Sequence, residues 1–297
     1  SLCYLRHTLV PEQPAWLPGE PEMATPPDQC LPCPNGILLL DRFVADGELV
    51  MLPPTPRFFS VNSLGYRFDA DAQAPARWLR FLSQIWGDDP DSIGTLQEVF
   101  GLLLTSDTSF EKIFMLLGPP RSGKGTITEV LRAMVGEFNF VAPMLSSLGT
   151  QFGCQPLIGK TVAMFTEAKI TGRSDSLQIV ERLKAISGQD PQTIDRKHTT
   201  SWSGKLRVWF VMTANDFPTI TDSTNAIIDR LVVMKLTESF TGREDTRLKR
   251  DLLKELPGIL LWSLAGLRRL YERGRFEMPA SGAEELDSVR EMLNPMR

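Results

Sequence analysis

The stretch Gly118-Pro119-Pro120-Arg121-Ser122-Gly123-Lys124-Gly125-Thr126 decides the fold of this 297-residue chain. It follows a short apolar run, Ile113 to Leu117, and opens a helical pattern from Ile127 to Val135. A glycine-rich turn between a strand and a helix lets backbone N–H groups surround phosphate oxygens, and the helix N-terminus adds positive potential. The ammonium of Lys124 can then reach the outer phosphates. The stretch therefore predicts a phosphate-binding loop that takes ATP or a similar nucleotide.

One position departs from the usual loop pattern. A Ser or Thr that binds Mg²⁺ commonly follows the lysine, whereas here Gly125 follows it and the first hydroxyl belongs to Thr126. Successive helical residues point about 100° apart, so Thr126 needs a local shift or an intervening water to act as the ligand. We expect Thr126 to bind Mg²⁺ through such a shift or such a water. Nucleotide kinases of the adenylate kinase type also carry Gly-Lys-Gly-Thr, so the loop alone does not separate them from translocating ATPases.

Composition sets wide limits. The chain is long enough for one large or two small domains, and its net charge is −4. This charge argues against a surface covered in cations, so contact with nucleic acid would need a local patch or the inner wall of a ring. The sequence has no apolar run that could cross a membrane and no signal-peptide layout, so we expect a cytoplasmic protein with no membrane partner.

The four cysteines indicate a reducing compartment rather than a disulfide scaffold. Cys30 and Cys33 have the spacing of half a zinc site. Cys3, His7 and Cys154 are conceivable completing ligands, but none of them forms a second close pair. We expect Cys30 and Cys33 to be two ordinary thiols in a loop.

Local patterns divide the chain into five segments around an α/β core, with a mostly parallel sheet flanked by helices. Half of the 22 prolines precede position 57, and an Asp46-Gly47 turn separates two apolar runs. Trp78 and Trp86 share a helical face that we expect to be buried, and a leucine stripe lies between Pro257 and Gly274. The predicted segments are a proline-rich arm or linker (1–34), a small β-hairpin element (35–72), a helical module (73–110), the core (111–240) and a C-terminal helical cap (241–297).

A carboxylate follows the next predicted strand. The run from Thr161 to Thr166 is typical of a buried strand, and Glu167 lies at its C-terminal end, where parallel sheets place ligands. A carboxylate there can order Mg²⁺ or polarise the water that attacks a γ-phosphate. Many such ATPases have two adjacent acids at this point. Here Glu167 must both order Mg²⁺ and polarise the water, or Asp190 or Asp175 must take one of these roles.

A basic segment lies between two further runs. Arg196, Lys197 and His198 follow Thr193-Ile194 and precede a strand predicted over Lys205 to Met212, which favours two strands joined by a projecting polar loop. The three side chains could hold phosphates, although spacing alone favours a plain charged tip.

Three more positions have a structural and a functional interpretation. Lys184 lies near the end of a helix predicted over Ser174 to Ile186, where a lysine is commonly solvated and favoured by the macrodipole. Asn215, at the tip of the second strand, can sense a γ-phosphate or cap the next turn. Arg230 precedes a strand that starts at Leu231 and could reach a neighbouring subunit's phosphate, or could be an exposed cation.

In this order the motifs resemble a superfamily 3 helicase of the AAA+ class, and more narrowly the phage, plasmid and poxvirus primase-helicase family. The resemblance covers most of the chain after about position 35. Its further stretches are Leu183 to Asp190, Asn215 to Pro218, Asp229-Arg230, and Glu255 to Trp262 with Gly266.

The resemblance implies an AAA+-like P-loop core in a hexameric ring that hydrolyses ATP with Mg²⁺ between subunits and moves along single-stranded DNA at replication forks. A replication initiator or a primase module would be a partner, and the family's primase module would precede residue 1. For the ATP site, the resemblance implies Gly118 to Thr126 as the Walker A loop, Glu167 as the Walker B acid and Asn215 as the sensor. The neighbouring subunit would contribute Arg230 as the arginine finger in trans and Lys184 as a lysine that approaches the phosphates. For DNA, the resemblance implies a pore hairpin with Arg196, Lys197 and His198 at its tip.

Two other functions stay open. An ATP-switched DNA-binding or assembly protein without unwinding would need the same loop, but it could tolerate the loss of Arg230 or Lys197. A nucleotide kinase predicts a mobile, arginine-rich lid, and no such segment follows the loop. A kinase also leaves Asn215, Arg230 and the basic hairpin unexplained.

Overall fold

The computed structural model describes residues 15–16, 25–60, 63–87, 89–168, 173–218 and 226–293. Most of the predicted arm lies outside these residues. The strands are β1 (Ala15–Trp16), β2 (Cys30–Cys33), β3 (Gly36–Leu39), β4 (Val50–Leu52), β5 (Phe58–Phe59), β6 (Ile113–Leu117), β7 (Phe140–Val141), β8 (Val162–Phe165), β9 (Gln192–Ile194), β10 (Trp202–Gly204), β11 (Trp209–Ala214) and β12 (Leu231–Lys235). The α-helices are α1 (Leu40–Asp46), α2 (Ala76–Trp86), α3 (Pro90–Leu102), α4 (Lys124–Val135), α5 (Arg173–Ser187), α6 (Leu248–Leu252), α7 (Leu256–Arg273) and α8 (Ala280–Leu293).

A five-stranded parallel sheet forms the centre of the fold, in the order β12-β6-β11-β8-β7. Its side chains alternate between two hydrophobic cores: Phe114 and Leu116 enter one, and Ile113 and Met115 enter the other. Because both faces are covered, the strands are continuous apolar runs rather than alternating ones. The predicted α/β core with a mostly parallel sheet is confirmed.

Helices cover both faces of the sheet. The first core joins the sheet to α2, α3, α4 and α7, and α3 packs along α7. The second core joins it to α5, α8 and the 3₁₀ turn Leu145–Gly149. Trp78 and Trp86 are buried in the first core, as their helical spacing predicts. Among the described helices, none is both long enough and apolar enough to cross a membrane.

Helix α2 is capped by a residue far away in sequence. Its N-cap is Pro75, which provides no capping side chain. The carboxylate of Glu255 instead accepts hydrogen bonds from the backbone N–H groups of Arg77 (3.1 Å) and Trp78 (2.9 Å). These first-turn donors have no partner inside the helix, so the negative charge of Glu255 both satisfies them and stabilises the positive end of the macrodipole.

The predicted hairpin around Asp46-Gly47 is only partly correct. Strands β3 and β4 do pair antiparallel, with Ile37 opposite Leu52. The connection is helix α1 rather than a tight turn, and Gly47 ends that helix in the left-handed conformation at φ 77°. The turn-type dipeptide was therefore a helix C-cap, and Leu40 buries the helix against the first core.

The expectation that Cys30 and Cys33 lie in a loop is wrong. They are the two ends of β2, and residues three apart on a strand point to opposite faces. Cys30 enters a small core with Phe58, whereas Cys33 enters the first core. Burial raises the pKa of both thiols to about 12. The pair therefore does not offer half of a zinc site.

Strand boundaries were predicted unevenly in the second half of the chain. The predicted strands β6, β8 and β12 are confirmed to within a residue at each end. The strand predicted over Lys205 to Met212 starts only at Trp209, whose backbone N–H bonds to the carbonyl of Thr161 (2.8 Å). In α5, Leu177 is 52% exposed, whereas Ile179 is buried.

Candidate functional site

The loop 118–126, called here the glycine loop, follows β6 and opens α4. Its backbone enters the left-handed region at Arg121 (φ 63°) and Gly123 (φ 102°). A side chain at Gly118 would place its Cβ 2.3 Å from the carbonyl oxygen of Leu236, so only glycine fits there. Alternating right- and left-handed residues before a helix N-terminus turn successive N–H groups toward one point, which favours an anion.

Lys124 occupies the centre of this loop. Its ammonium donates to the carbonyl of Gly118, the carbonyl of Pro119 (2.8 Å), the hydroxyl of Ser122 (3.3 Å) and the amide oxygen of Asn215 (3.2 Å). Partial burial lowers the pKa of Lys124 below the ordinary lysine value. The side chain is therefore pre-positioned between the loop and the sheet, as a cation that is only partly hydrated.

Strand β11 ties the glycine loop to the segment after β8. The N–H of Gly118 bonds to the carbonyl of Ala214 (3.2 Å), and the N–H of Ala168 bonds to that of Thr213 (2.9 Å). Since β11 lies between β6 and β8, Asn215 at its end and Glu167 after β8 meet the loop at one sheet edge. The predicted convergence of Lys124, Glu167 and Asn215 is thus present in the structure.

Glu167 is exposed and adopts a left-handed backbone with φ 51°. This conformation is costly for a residue with a Cβ, and such residues cluster at functional sites. Arg121 and His198 (φ 59°), two other predicted site residues, share it. Glu111 (φ 51°) and Gln189 (φ 60°), which have no predicted role, adopt it as well, so this conformation does not single out the site residues.

A cavity of about 710 Å³ opens beside this edge, within the range of roughly 300–1,000 Å³ that is usual for small-molecule sites. The glycine loop from Pro120 to Thr126 forms its floor, and Glu167, Thr213 and Asn215 form one side. Helix α2 and the loop between β12 and α6 close the other side, with Phe81, Gln84, Phe240, Arg243 and Lys249 among the lining residues.

The loop between β12 and α6 packs directly on the glycine loop. The N–H of Phe240 bonds to the carbonyl of Arg121 (3.0 Å), and the hydroxyl of Ser239 bonds to that of Pro120 (3.1 Å). Arg121 and Glu244 form an ion pair at 3.5 Å, and the Arg243 guanidinium lies 5.7 Å from the Phe240 ring centroid. Sequence reasoning missed these residues because they reach the loop from more than a hundred positions away.

The oxygen atoms around the cavity suit a hard cation. The carboxylate of Glu167 and the hydroxyls of Thr126 and Thr213 line it, and oxygen ligands are the ones Mg²⁺ prefers. Within the described ranges, no group of three His, Cys, Asp or Glu residues could hold a metal ion. Mg²⁺ usually takes several of its ligands from phosphate oxygens and water, so one carboxylate and two hydroxyls are compatible with this ion.

Asp190 does not assist Glu167, because it lies far from it. Asp190 is two residues after Gly188, and Gly188 is next to Arg230: a Cβ at Gly188 would lie 3.3 Å from the Arg230 guanidinium. Arg230 precedes β12, so Asp190 lies at the opposite edge of the sheet from Glu167. The side chain of Asp175, the other proposed helper, lies outside the described part of the chain.

Arg230 and Lys184 also lie at that opposite edge. The Arg230 guanidinium donates to the carbonyl of Ala226 (3.1 Å) and pairs with Glu111 at 3.6 Å, while the Lys184 carbonyl accepts from the N–H of Gly188 (2.8 Å). The five residues of β12 separate Arg230 from Leu236 beside the glycine loop, and the six steps between these two residues span roughly 20 Å. Arg230 therefore does not reach the glycine loop of its own chain.

The basic residues predicted on a hairpin are found on one. Strands β9 and β10 pair antiparallel with Trp202 opposite Ile194, so the hairpin's second strand is Trp202–Gly204 and not the predicted run from Lys205. Arg196, Lys197 and His198 lie at its tip, and Lys197 and His198 are exposed. The predicted polar loop with three basic groups between two strands is confirmed, but its tip rests on the segment 151–155 rather than projecting.

The hairpin tip is docked on the segment 151–155. Gln151 and Ser201 donate to the two carboxylate oxygens of Asp195, each at 3.0 Å, and these hydrogen bonds hold its pKa below the usual range. Gln155 accepts from the N–H of Lys197 (3.2 Å), and the Lys197 ammonium lies 5.7 Å from the Phe152 ring centroid. The Lys197 side chain is therefore exposed to solvent at a tip that hydrogen bonds hold against the segment 151–155.

Residues 116–230 match the model of a family of unknown function, DUF5906. The match starts inside β6, just before the glycine loop, and ends at Arg230. It therefore contains the glycine loop, Glu167, the basic hairpin, Asn215 and Arg230 in one unit. The family description itself assigns no activity.

Solved structures with a similar fold include the C-terminal region of NrS-1 without ligand. One such structure has a TM-score of 0.59 and 15% identity, and covers 84% of this chain and 64% of that one. Another, described as the A form, has a TM-score of 0.57 and 16% identity, and covers 74% and 52%. This chain thus spans between half and two-thirds of those structures. At this identity the likeness shows a shared fold.

Proposed function

We propose that the chain is an AAA+-type ATPase of superfamily 3 that couples ATP hydrolysis to movement along single-stranded DNA. The observation that carries the proposal is the position of Lys124, held between the glycine loop and Asn215 beside Glu167, on the floor of a cavity of about 710 Å³. A triphosphate in that cavity would replace the loop carbonyls as the partner of the ammonium. The N–H groups at the start of α4 would bind its oxygens.

Each residue has a distinct task in this proposal. Lys124 binds the outer phosphates and offsets their charge, and Mg²⁺, when bound, would offset the charge that develops on the phosphate oxygens. Glu167 would accept a proton from the attacking water or orient it, and Asn215 would fix that water or sense the γ-phosphate. Thr126 and Thr213 offer hydroxyl oxygens to the ion directly or through water.

The position of Arg230 supports a site shared between subunits. It lies roughly 20 Å along β12 from the glycine loop, beyond the reach of an arginine side chain. A neighbouring copy could present Arg230, with Lys184 from the same edge, to the open side of the cavity. Such a head-to-tail contact uses two different surfaces and closes into a ring when the rotation allows it. The ring is expected to be a hexamer, as the family resemblance implies.

The basic hairpin supports DNA as the second ligand. Lys197 and His198 are exposed at its tip in a chain of net charge −4, so positive potential is concentrated there. Four residues separate β10 from β11, and β11 ends next to Asn215. A displacement of the hairpin would therefore be transmitted along one strand to the ATP site.

A second function is favoured by one observation. The hairpin tip is tied to the segment 151–155 by hydrogen bonds from Gln151 and to Gln155. A tip that stays docked through the ATP cycle would suit an ATP-switched DNA-binding or assembly protein that does not unwind DNA.

The experiment is a measurement of ATPase rate with and without single-stranded DNA, together with unwinding of a forked duplex. The proposal predicts hydrolysis that DNA stimulates and that drives unwinding. Stimulation without unwinding would favour the switch. A hydrolysis rate that is the same with and without DNA, combined with ready phosphorylation of AMP, would contradict the proposal and favour a nucleotide kinase.

A further inference from the structure

Two residues that precede β6 hold the turn that carries Arg230. The ammonium of Lys112 donates to the backbone carbonyl of Asp229 (2.8 Å), and the carboxylate of Glu111 pairs with the guanidinium of Arg230 at 3.6 Å. The carboxylate of Asp229 is engaged elsewhere, because Arg290 on α8 donates to it at 2.9 Å. Glu111 therefore supplies a negative charge beside Arg230, on a turn that contacts with two other elements keep in place.

The contacts of Arg230 leave part of its guanidinium able to bind an anion. Nη1 donates to the carbonyl of Ala226 (3.1 Å), Nη2 pairs with Glu111, and Nε is buried without a hydrogen-bond partner among the described residues. A guanidinium has five N–H groups, two of them on each Nη atom. The side chain is 26% exposed, so Arg230 can stay paired with Glu111 while a remaining Nη donor meets a phosphate from outside the chain.

Stability gives little reason for the pair between Glu111 and Arg230. The Glu111 side chain is 47% exposed, and water screens a pair of this kind so that it contributes little to folding. Glu111 also has a left-handed backbone at φ 51°, which is unfavourable for a residue with a Cβ. The effect that remains is on the direction of the guanidinium, since a fixed carboxylate limits the rotamers that Arg230 can adopt.

Strand β6 links this contact to the glycine loop of the same chain. Glu111 and Lys112 lead directly into β6, and Gly118 follows the last residue of that strand. Strand β12, which starts directly after Arg230, pairs with β6 along its full length. In a ring of copies, the strand that carries one ATP site would therefore also orient the arginine that acts at the next site.

We propose that Glu111 is a positioning residue, which orients the guanidinium of Arg230 toward the γ-phosphate bound by the neighbouring copy. Glu111 does not touch the nucleotide and acts through Arg230 of its own chain. The inference rests on the proposed function, because it requires Arg230 to act in trans.

The first test is ATP hydrolysis by the full chain with single-stranded DNA. Glu111→Ala should lower kcat about tenfold and keep KM for ATP within about twofold, because a misdirected Arg230 is lost mainly from the transition state. Glu111→Gln keeps an oxygen acceptor without the charge and should lower kcat only about threefold. Glu272→Ala is the matched control, since it removes a carboxylate from an exposed pair with Arg268, and it should hydrolyse ATP like wild type.

Mixed rings distinguish positioning from a general loss of structure. In an equal mixture of Lys124→Ala and Arg230→Ala chains, each active interface takes Arg230 from the first chain and Lys124 from the second. Adding Glu111→Ala to the first chain should lower the rate of the mixture about tenfold. Adding it to the second chain should leave the rate of the mixture unchanged. A chain that folds or assembles poorly would lower the rate in both arrangements.

Equal rates in the two arrangements, whether both are lowered or neither is, would overturn the inference. A wild-type kcat for Glu111→Ala together with an inactive Arg230→Ala would overturn it as well. Failure of the proposed function would give a different result, namely an Arg230→Ala protein that hydrolyses ATP at the wild-type rate.

Discussion

Lys124 and Lys197 are both lysines near predicted phosphate contacts, but their surroundings differ. Lys124 is partly buried and held by the glycine loop, while Lys197 is exposed at the hairpin tip beside Phe152. We expect Lys124→Ala to reduce ATP hydrolysis about a hundredfold or more with or without DNA, because a lost phosphate contact acts in the transition state. Lys197→Ala should keep basal hydrolysis within about twofold and remove most of its stimulation by DNA. Equal losses of basal rate in the two variants would contradict this division of roles.

Gly125 and Thr126 offer a matched pair for the metal question. A Cβ at Gly125 would meet nothing within 4 Å, so Gly125→Ala is sterically free, and alanine favours the helix by about 1 kcal/mol. Thr126 lines the cavity, and Thr126→Val removes its hydroxyl while keeping the shape. We expect Thr126→Val to raise the Mg²⁺ concentration needed for half-maximal hydrolysis about tenfold, and Gly125→Ala to leave it unchanged. The same Mg²⁺ requirement in both variants would remove Thr126 as a ligand.

At the scale of elements, a buried carboxylate links α3 to α7. Glu98 is nearly inaccessible, and its oxygens accept from Arg269 (2.7 Å) and from Arg273, both on α7. Because the two arginines can still reach water in part, we expect Glu98→Gln to lower the free energy of unfolding by about 2 kcal/mol rather than the larger cost of a fully buried orphan charge.

The measurement for Glu98→Gln is urea unfolding at pH 7, with Glu272→Gln as the control. Glu272 forms an exposed pair with Arg268 one helical turn away, and such a pair contributes about 0.5 kcal/mol or less. A fall in midpoint for Glu98→Gln that matched the control would show that the α3–α7 contact does not depend on this carboxylate.

Local patterns predicted the elements well where a single rule applied. The apolar runs of β6, β8 and β12 are buried on both faces, and the helix predicted from Pro257 ends at Gly274 in a left-handed cap. Prediction failed where a second, distant contact decided the outcome. Asp46-Gly47 has the composition of a hairpin turn, yet burial of Leu40 favours a helix that ends at Gly47.

Prediction of the candidate site also succeeded for local patterns and failed for distant contacts. The convergence of Lys124, Glu167 and Asn215 follows from strand ends in a parallel sheet, so sequence reasoning could find it. The contribution of Phe240 and Arg243 comes from a loop that folds back over Arg121 and Pro120, and spacing along the chain carries no trace of that contact. Thr213 lies two residues before Asn215, and only its place in the cavity indicates a role for its hydroxyl.

At the scale of the whole molecule, the sheet separates two sets of residues. The glycine loop, Glu167 and Asn215 occupy one edge, and Arg230 and the Lys184 end of α5 occupy the other. These two sets of residues therefore do not meet within one chain. The proposed function joins them only through a neighbouring copy, so the particle mass should rise from that of the 33.2 kDa chain to a ring when ATP and DNA are present.

The most direct test of this claim is complementation between two inactive variants. Lys124→Ala removes the loop's cation, and Arg230→Ala removes the residue from the opposite edge. We predict that each protein alone hydrolyses ATP at a few per cent of the wild-type rate or less, since both groups act on the same phosphates. In an equal mixture, about one interface in four pairs an intact Lys124 with an intact Arg230, so the mixture should recover about a quarter of the wild-type rate. An equal mixture that stays at the rate of its components, under conditions where the particle mass shows mixed rings, would contradict a site shared between subunits.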